Sequence, residues 1–193
     1  MTQIKKPQSG FALLITLLVV SVVIAVTLSI VELTLKQLEL SVDSRDAEIA
    51  FHAASAGMEC AQRTRRVSST TIELGNNLNL NCFGITANNI TSNLDGVTEL
   101  NTSNGDVFRY KTSMDWGAGV NAKCTEIDII TIVANTGNTR AGNLQQQIPN
   151  YPTNIKTCAE GARCTIASVA GYSASCAQKG ALGTLKREIL LEF

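Results

Sequence analysis

From Phe11 to Val31 every residue is apolar except Thr16, Ser21, Thr27 and Ser29, and the stretch contains no charge, Gly or Pro. At about 1.5 Å of rise per residue, a helix of this length crosses a hydrocarbon core about 30 Å thick, so the pattern predicts a membrane span. Backbone groups in lipid must pair within the helix, and each of the four hydroxyls can bond a carbonyl one turn back.

Beyond the span the apolar positions become one-sided. Leu35, Leu38, Val42, Ile49, Ala53, Ala56 and Cys60 recur at spacings of three, four or seven, and Ala50, Ala54 and Ala61 widen the stripe. Lys36, Glu39, Asp43, Asp46 and Glu59 lie mainly off it. No Pro occurs between Ala12 and Ile148, and the first Gly after Gly10 is Gly57. The pattern predicts one continuous helix from about Phe11 to about Arg65, roughly 80 Å long. Its outer half is apolar on one side only, as a helix packed on a globular domain requires. A coiled coil or a signalling stalk is the alternative, but Ala53-Ala54-Ser55-Ala56-Gly57 favours close backbone approach to a sheet over large interlocking side chains. Arg63, Arg65 and Arg66 fall at the far end, where cations suit a helix C-terminus.

From Val67 to Asp106 Ser, Thr and Asn dominate, and Asn76-Asn77, Asn88-Asn89, Asp95-Gly96 and Asn104-Gly105 signal turns. This reads as a long connection tied down by Cys82, with short strands only near Thr71–Leu74 and Val97–Leu100. Strand patterns strengthen afterwards: Val107–Thr112 leading into Trp116, Cys124–Ala134 as a central strand despite Asp128, and Cys164–Tyr172. Residues 135–154, with Pro149 and Pro152, read as turns. Thr184–Phe193 alternates, with Leu185, Ile189, Leu191 and Phe193 on one face, although Arg187 and Leu190 break the pattern. Three or four antiparallel strands with one apolar face need a cover, which the outer half of the helix supplies. The fold class is therefore α+β, a small antiparallel sheet head on a helical stem.

Charge and cysteine content narrow the setting. The chain of 193 residues carries 16 basic and 16 acidic side chains, a balance that gives no signal for nucleic acid. Its six Cys, all beyond the span, suit a domain folded in an oxidising compartment, and their disulfides would reinforce a modest core. Cys60, Cys82, Cys124, Cys158, Cys164 and Cys176 allow fifteen complete pairings. Cys60 with Cys82 is the preferred pair, because it would clip the connection to the helix. Cys124 with one of the later three, and the remaining two together, would staple the sheet. Zinc normally requires closer spacing than Cys158 to Cys164, the shortest here.

Lys5 and Lys6 precede the span, and the positive-inside bias holds them in the cytoplasm. No Ala-x-Ala-like site follows the apolar core as in a secretory signal; the unusual junction is Ser9-Gly10-Phe11, in front of it. Gly before Phe and an unbroken apolar run resembles the class III leader of type IV prepilins and type II secretion pseudopilins. The helix with Arg45-Asp46, Ala50-Phe51, Ala53-Ala54 and Ala56-Gly57 is similar to the N-terminal region of PilX-type minor pilins, and Gly171-Tyr172 before Cys176 with Lys186-Arg187-Glu188 resembles the C-terminal part of small pilin-like proteins. The N-terminal match covers about a quarter of the chain.

The resemblance implies a type IV pilin-like division: 1–10 leader, 11–31 membrane and filament-core half of the helix, 32–66 amphipathic half, 67–193 head. It implies that a prepilin peptidase cuts between Gly10 and Phe11 and methylates the new amine of Phe11. The mature chain would then hold 14 basic against 16 acidic residues. Implied partners are other pilins or pseudopilins, the inner-membrane assembly platform and, before assembly, the lipid bilayer. The implied location is the inner membrane, then a surface filament. The departure is Ile15, where the family usually has a Glu thought to neutralise a neighbouring subunit's N-terminal amine. K-type pseudopilins of type II secretion share this feature. Placement at the filament tip and sparse placement along the shaft both follow from it.

Catalysis has little support. The single His, His52, lies mid-helix with no base-nucleophile arrangement beside it, and neither a P-loop nor Gly-x-Gly-x-x-Gly occurs. No enzyme activity, cofactor or metal is expected. Glu32, just past the span, reads as solvated. Asn89-Ile90-Thr91 and Asn101-Thr102-Ser103 match a glycosylation acceptor pattern that carries no function here. Two function classes remain: a subunit of a type IV pilus-like filament, serving adhesion, motility, secretion or DNA uptake, and a membrane-anchored extracellular binding domain that does not polymerise. Neither a DNA nor a surface ligand is identified.

Overall fold

A computed structural model describes residues 9–93, 97–99 and 105–193. The expected leader positions Lys5 and Lys6, the turn at Asp95-Gly96, and Asn101-Thr102-Ser103 lie outside these residues. The chain divides into two compact units, Met1–Ser44 and Arg45–Phe193.

Helix α1 runs from Ser9 to Val67, 59 residues, and thus starts ahead of the Gly10-Phe11 junction. Within the second unit it buries Ala50, Ala53, Ala54, Met58, Cys60, Ala61 and Thr64, a stripe with helical spacing. The expected stripe therefore holds from Ala50 onward. Leu35, Leu38 and Val42, assigned to the same packing side, are exposed instead. Burial needs a partner as well as the right periodicity.

Small residues let α1 approach the sheet closely. A Cβ added at Gly57 would stand 2.3 Å from Thr125 Cγ2, and one at Gly171 would stand 2.1 Å from the Ala50 carbonyl oxygen and 2.4 Å from the Ala54 nitrogen. The contact at Gly171 is thus backbone against backbone. Thr125 Oγ1 donates to the Ala53 carbonyl at 2.8 Å and accepts from Trp116 Nε1 at 2.6 Å, fixing the helix laterally.

The main sheet is antiparallel, in the order β4 (Gly105–Trp116), β5 (Lys123–Ala134), β8 (Arg163–Tyr172) and β9 (Lys186–Glu192). Successive side chains on a strand face opposite ways, and β5 uses both faces. Ile127 and Ile129 join a core with Met58 and Ala61 of α1, whereas Ile130 and Ile132 join a second core with Ala141, Leu144, Ile148 and Tyr151. The sequence reading of one covered face is thus incomplete. A second layer covers the other: a three-stranded sheet in the order β3 (Thr98–Glu99), β6 (Thr139–Gly142), β7 (Lys156–Cys158), with the short helix α3 (Leu144–Gln147). Those elements fall largely where the sequence reads as turns. Leu190 on β9 packs on the second core while Ile189 and Leu191 pack on the first. Its apparent break in the alternation reflects a sheet buried on both sides.

The connection after α1 also holds more structure than expected. Ser69–Glu73 is the short helix α2 where a strand near Thr71–Leu74 was expected; Ile72 is its buried anchor. Leu78–Cys82 (β1) and Ile85–Ile90 (β2) form a hairpin. Leu78, Leu80 and Cys82 face inward and Asn79 and Asn81 outward. This period-two signal is masked in the sequence by its density of Asn.

Candidate functional site

The feature that distinguishes this chain is an apolar surface on the first half of α1. From Phe11, 73% exposed, through Ile15 to Val42, every large hydrophobic side chain is at least 45% exposed. Soluble monomers rarely expose so large a contiguous apolar area; such a surface marks contact with a membrane or another protein. The helix is long and apolar enough to cross a membrane.

The hydroxyls from Thr16 to Thr34 are internally satisfied. The hydroxyls of Thr16, Ser21, Thr27, Ser29 and Thr34 donate to carbonyls three or four residues earlier, at 2.8–3.1 Å. In hydrocarbon an unpaired hydroxyl costs several kcal/mol, of order 4–8 on transfer from water. Here none of these five is unpaired, which suits the surface to lipid or to dry packing between helices. Gly10 lies in the first turn of α1, Phe11 follows it, and Ile15 lies one turn on, within this apolar surface.

The head is closed by three disulfides and has no free cysteine among the described residues. Cys60–Cys82 ties α1 to β1, and Cys124–Cys176 ties β5 to the segment after β8. Cys158–Cys164 ties β7 to β8, joining the second layer to the main sheet. Asp115 lies near the sulfurs of Cys124 and Cys176. Those sulfurs are bonded to each other, so they offer no thiolate to a metal.

The buried charges serve the scaffold. Arg109, 3% exposed, donates from Nε to Asp128 Oδ1 at 2.9 Å and from Nη1 to Gln147 Oε1 at 2.7 Å. This two-pronged pair accounts for the acid in a central strand and anchors α3 to the sheet. Arg65, which the sequence placed with two other Arg at the helix C-terminus, donates to Thr165 Oγ1 on β8 and to Glu73 on α2. Arg163 approaches the same Glu73 at 3.4 Å. A cavity of about 500 Å³ beside them is lined by Gln62, Arg65, Arg66, Arg163, Glu192 and Phe193, among others, with most of its charge already paired. His52 is exposed and 3.6 Å from Glu48 one turn earlier.

Three acid–base groups brace different parts of the head: Tyr110 the α2 region, Glu126 the segment after β8, and Glu192 the second layer. Tyr110, whose hydroxyl donates to carbonyls of the α2 region, is pushed up to about 12 by burial. Burial raises Glu126, but hydrogen bonds from Lys179 and Tyr172 outweigh it and hold the carboxyl below its usual range. Hydrogen bonds from Lys156 and Tyr151 do the same for Glu192. All are explained by packing.

These observations define an α+β disulfide-bonded head carried by a helix with an exposed apolar, membrane-compatible surface. Comparison with known protein families, curated proteins and solved structures found no match.

Proposed function

We propose that the chain is a minor pilin or pseudopilin, a structural subunit assembled into a type IV pilus-like filament. The observation that carries this reading is the exposed apolar surface of α1, which begins at Phe11 directly after Gly10 and carries no charge as far as Val31. Such a surface can be covered in turn by lipid and by the equivalent helices of other subunits. The internally bonded hydroxyls suit both environments, because neither partner supplies water.

In this reading a prepilin peptidase removes residues 1–10 and methylates Phe11. The subunit waits in the inner membrane and is then drawn by the assembly platform into the filament. Ile15 offers no carboxylate to a neighbour's N-terminal amine. The subunit therefore suits the tip, where no earlier subunit presents an amine, or sparse sites along the shaft.

Sheared surface filaments probed for this subunit test the proposal. Copurification as a chain beginning at N-methyl Phe11 supports it. Retention of all protein in the membrane with the ten-residue leader intact refutes it and favours an anchored binding domain that does not polymerise. Gly10→Ala is expected to leave an uncleaved precursor in the inner membrane.

A further inference from the structure

The turn joining β1 to β2 has the two residues Phe83 and Gly84, both at positive φ, +52° and +89°. Two-residue hairpin turns of this type favour Asn-Gly or Asp-Gly, because a bulky side chain at positive φ is strained. Here the strained position carries a phenyl ring that is 68% exposed. The strain is not repaid by burial.

The surroundings of the ring are ordered. The turn is fastened from behind by Cys60–Cys82, which pins it to α1. Trp116 stands at its flank, with ring centroids 6.1 Å apart and planes inclined by 53°. Trp116 is itself held by its bond to Thr125. A groove of about 160 Å³ runs between the turn and α1, lined by Glu59, Cys60, Arg63, Asn81, Cys82 and Phe83. Glu59, Arg63 and Asn81 are exposed, and none makes a side-chain hydrogen bond or ion pair with another described residue. A carboxylate, a guanidinium and an amide are therefore free to bond a ligand, next to an aromatic wall.

We propose that this groove binds a hexopyranose unit of a surface glycan. A pyranose ring presents a face of weakly positive C–H groups and an edge of hydroxyls that both donate and accept. The negative face of an aromatic ring complements the first. Glu59 as acceptor, Arg63 as donor and Asn81 as both complement the second. The groove is smaller than the roughly 300–1,000 Å³ usual for drug-sized ligands, which fits a single sugar residue held at one edge. The rigid turn keeps the wall in place, so little ordering is needed on binding. This inference is independent of filament assembly.

The test uses the full-length chain in a detergent without a sugar headgroup. Glucose, galactose, mannose, N-acetylglucosamine and glucuronic acid serve as probes in ligand-observed saturation-transfer NMR, with Trp116 emission as a second readout. At least one sugar is expected to bind, and Phe83→Gly to weaken it tenfold or more while raising the thermal midpoint, since Gly relieves the positive φ. Phe83→Tyr is expected to retain binding, and Glu59→Gln to weaken it. Absence of transfer to all five sugars overturns the proposal, as does equal binding by Phe83→Gly.

Discussion

The contact between β8 and α1 at Gly171 yields the most demanding prediction about the head. A methyl group added there would sit 2.1 Å from the Ala50 carbonyl oxygen, 2.4 Å from the Ala54 nitrogen and 3.0 Å from the Ala53 carbonyl carbon. Carbon and carbonyl oxygen tolerate about 3.3 Å, so something must move by about 1 Å. All three obstructing atoms are helix backbone, and Gly171 is itself held in register between Thr125 and Arg187. No side chain can swing away. The packed segment of α1 must lift, and the 2.8 Å bond from Thr125 to Ala53 would lengthen beyond hydrogen-bonding range. Overpacking typically costs about 1–3 kcal/mol and a lost hydrogen bond about 1 more, so Gly171→Ala is expected to destabilise the head by about 3 kcal/mol. Trp116 is the only tryptophan and bonds the same Thr125, so its fluorescence during urea unfolding of the full chain in detergent reports the event. With a urea slope of about 1–3 kcal/mol per molar, the midpoint should fall by at least about 1 M. Gly180→Ala, with open space around it, is the control and should stay within about 0.5 kcal/mol of the parent. A Gly171→Ala midpoint that matches the control would refute the backbone contact.

Other outcomes follow from the same packing. Cys60→Ser with Cys82→Ser opens a loop of sequence separation 22, and the chain-entropy estimate puts the loss near 3 kcal/mol, measured by the same urea titration. Asp128→Ala strands the buried Arg109 guanidinium and should cost about 3–5 kcal/mol, whereas Arg109→Met with Asp128→Leu should cost less than the single change. The folded pKa values of Glu126 and Glu192 lie below the ordinary 4.5, so the stability they contribute is present above that value and lost as pH falls through the folded pKa. Acid unfolding should therefore steepen below about pH 4.5, and Glu126→Gln and Glu192→Gln should flatten it, as followed by circular dichroism. For the proposed filament, site-specific crosslinking that finds the subunit uniformly along the shaft would exclude a tip placement based on Ile15.

Some of this was legible residue by residue. The run from Phe11 to Val31 announces an apolar helix without reference to any partner, because its composition alone decides which solvent suits it. The small residues from Ala53 to Gly57 announce a close approach, since their lack of volume is itself the message. The β-branched run of β5 marks a central strand for the same local reason. Where the reading failed, the missing information was a partner. Leu78-Asn79-Leu80-Asn81 has the alternation of a strand, but two Asn in four residues read equally as turn until Leu78 and Leu80 are seen against α1. Leu190 looks like an error until the second layer is placed on its face. Nothing local distinguishes Arg65, bonded across to β8, from the exposed Arg66 beside it.

Sequence by itself thus determined the long helix, its apolar first half and the β-rich, cysteine-bearing remainder, all set by hydrophobicity and conformational preference along a contiguous stretch. Tertiary structure decided where α1 begins to be covered, which of fifteen cysteine pairings forms, that the sheet is buried on both faces, and that a strained Phe83 stands uncovered beside Trp116. Each of these depends on which atoms meet across large separations in the chain, and close packing admits only one arrangement of them.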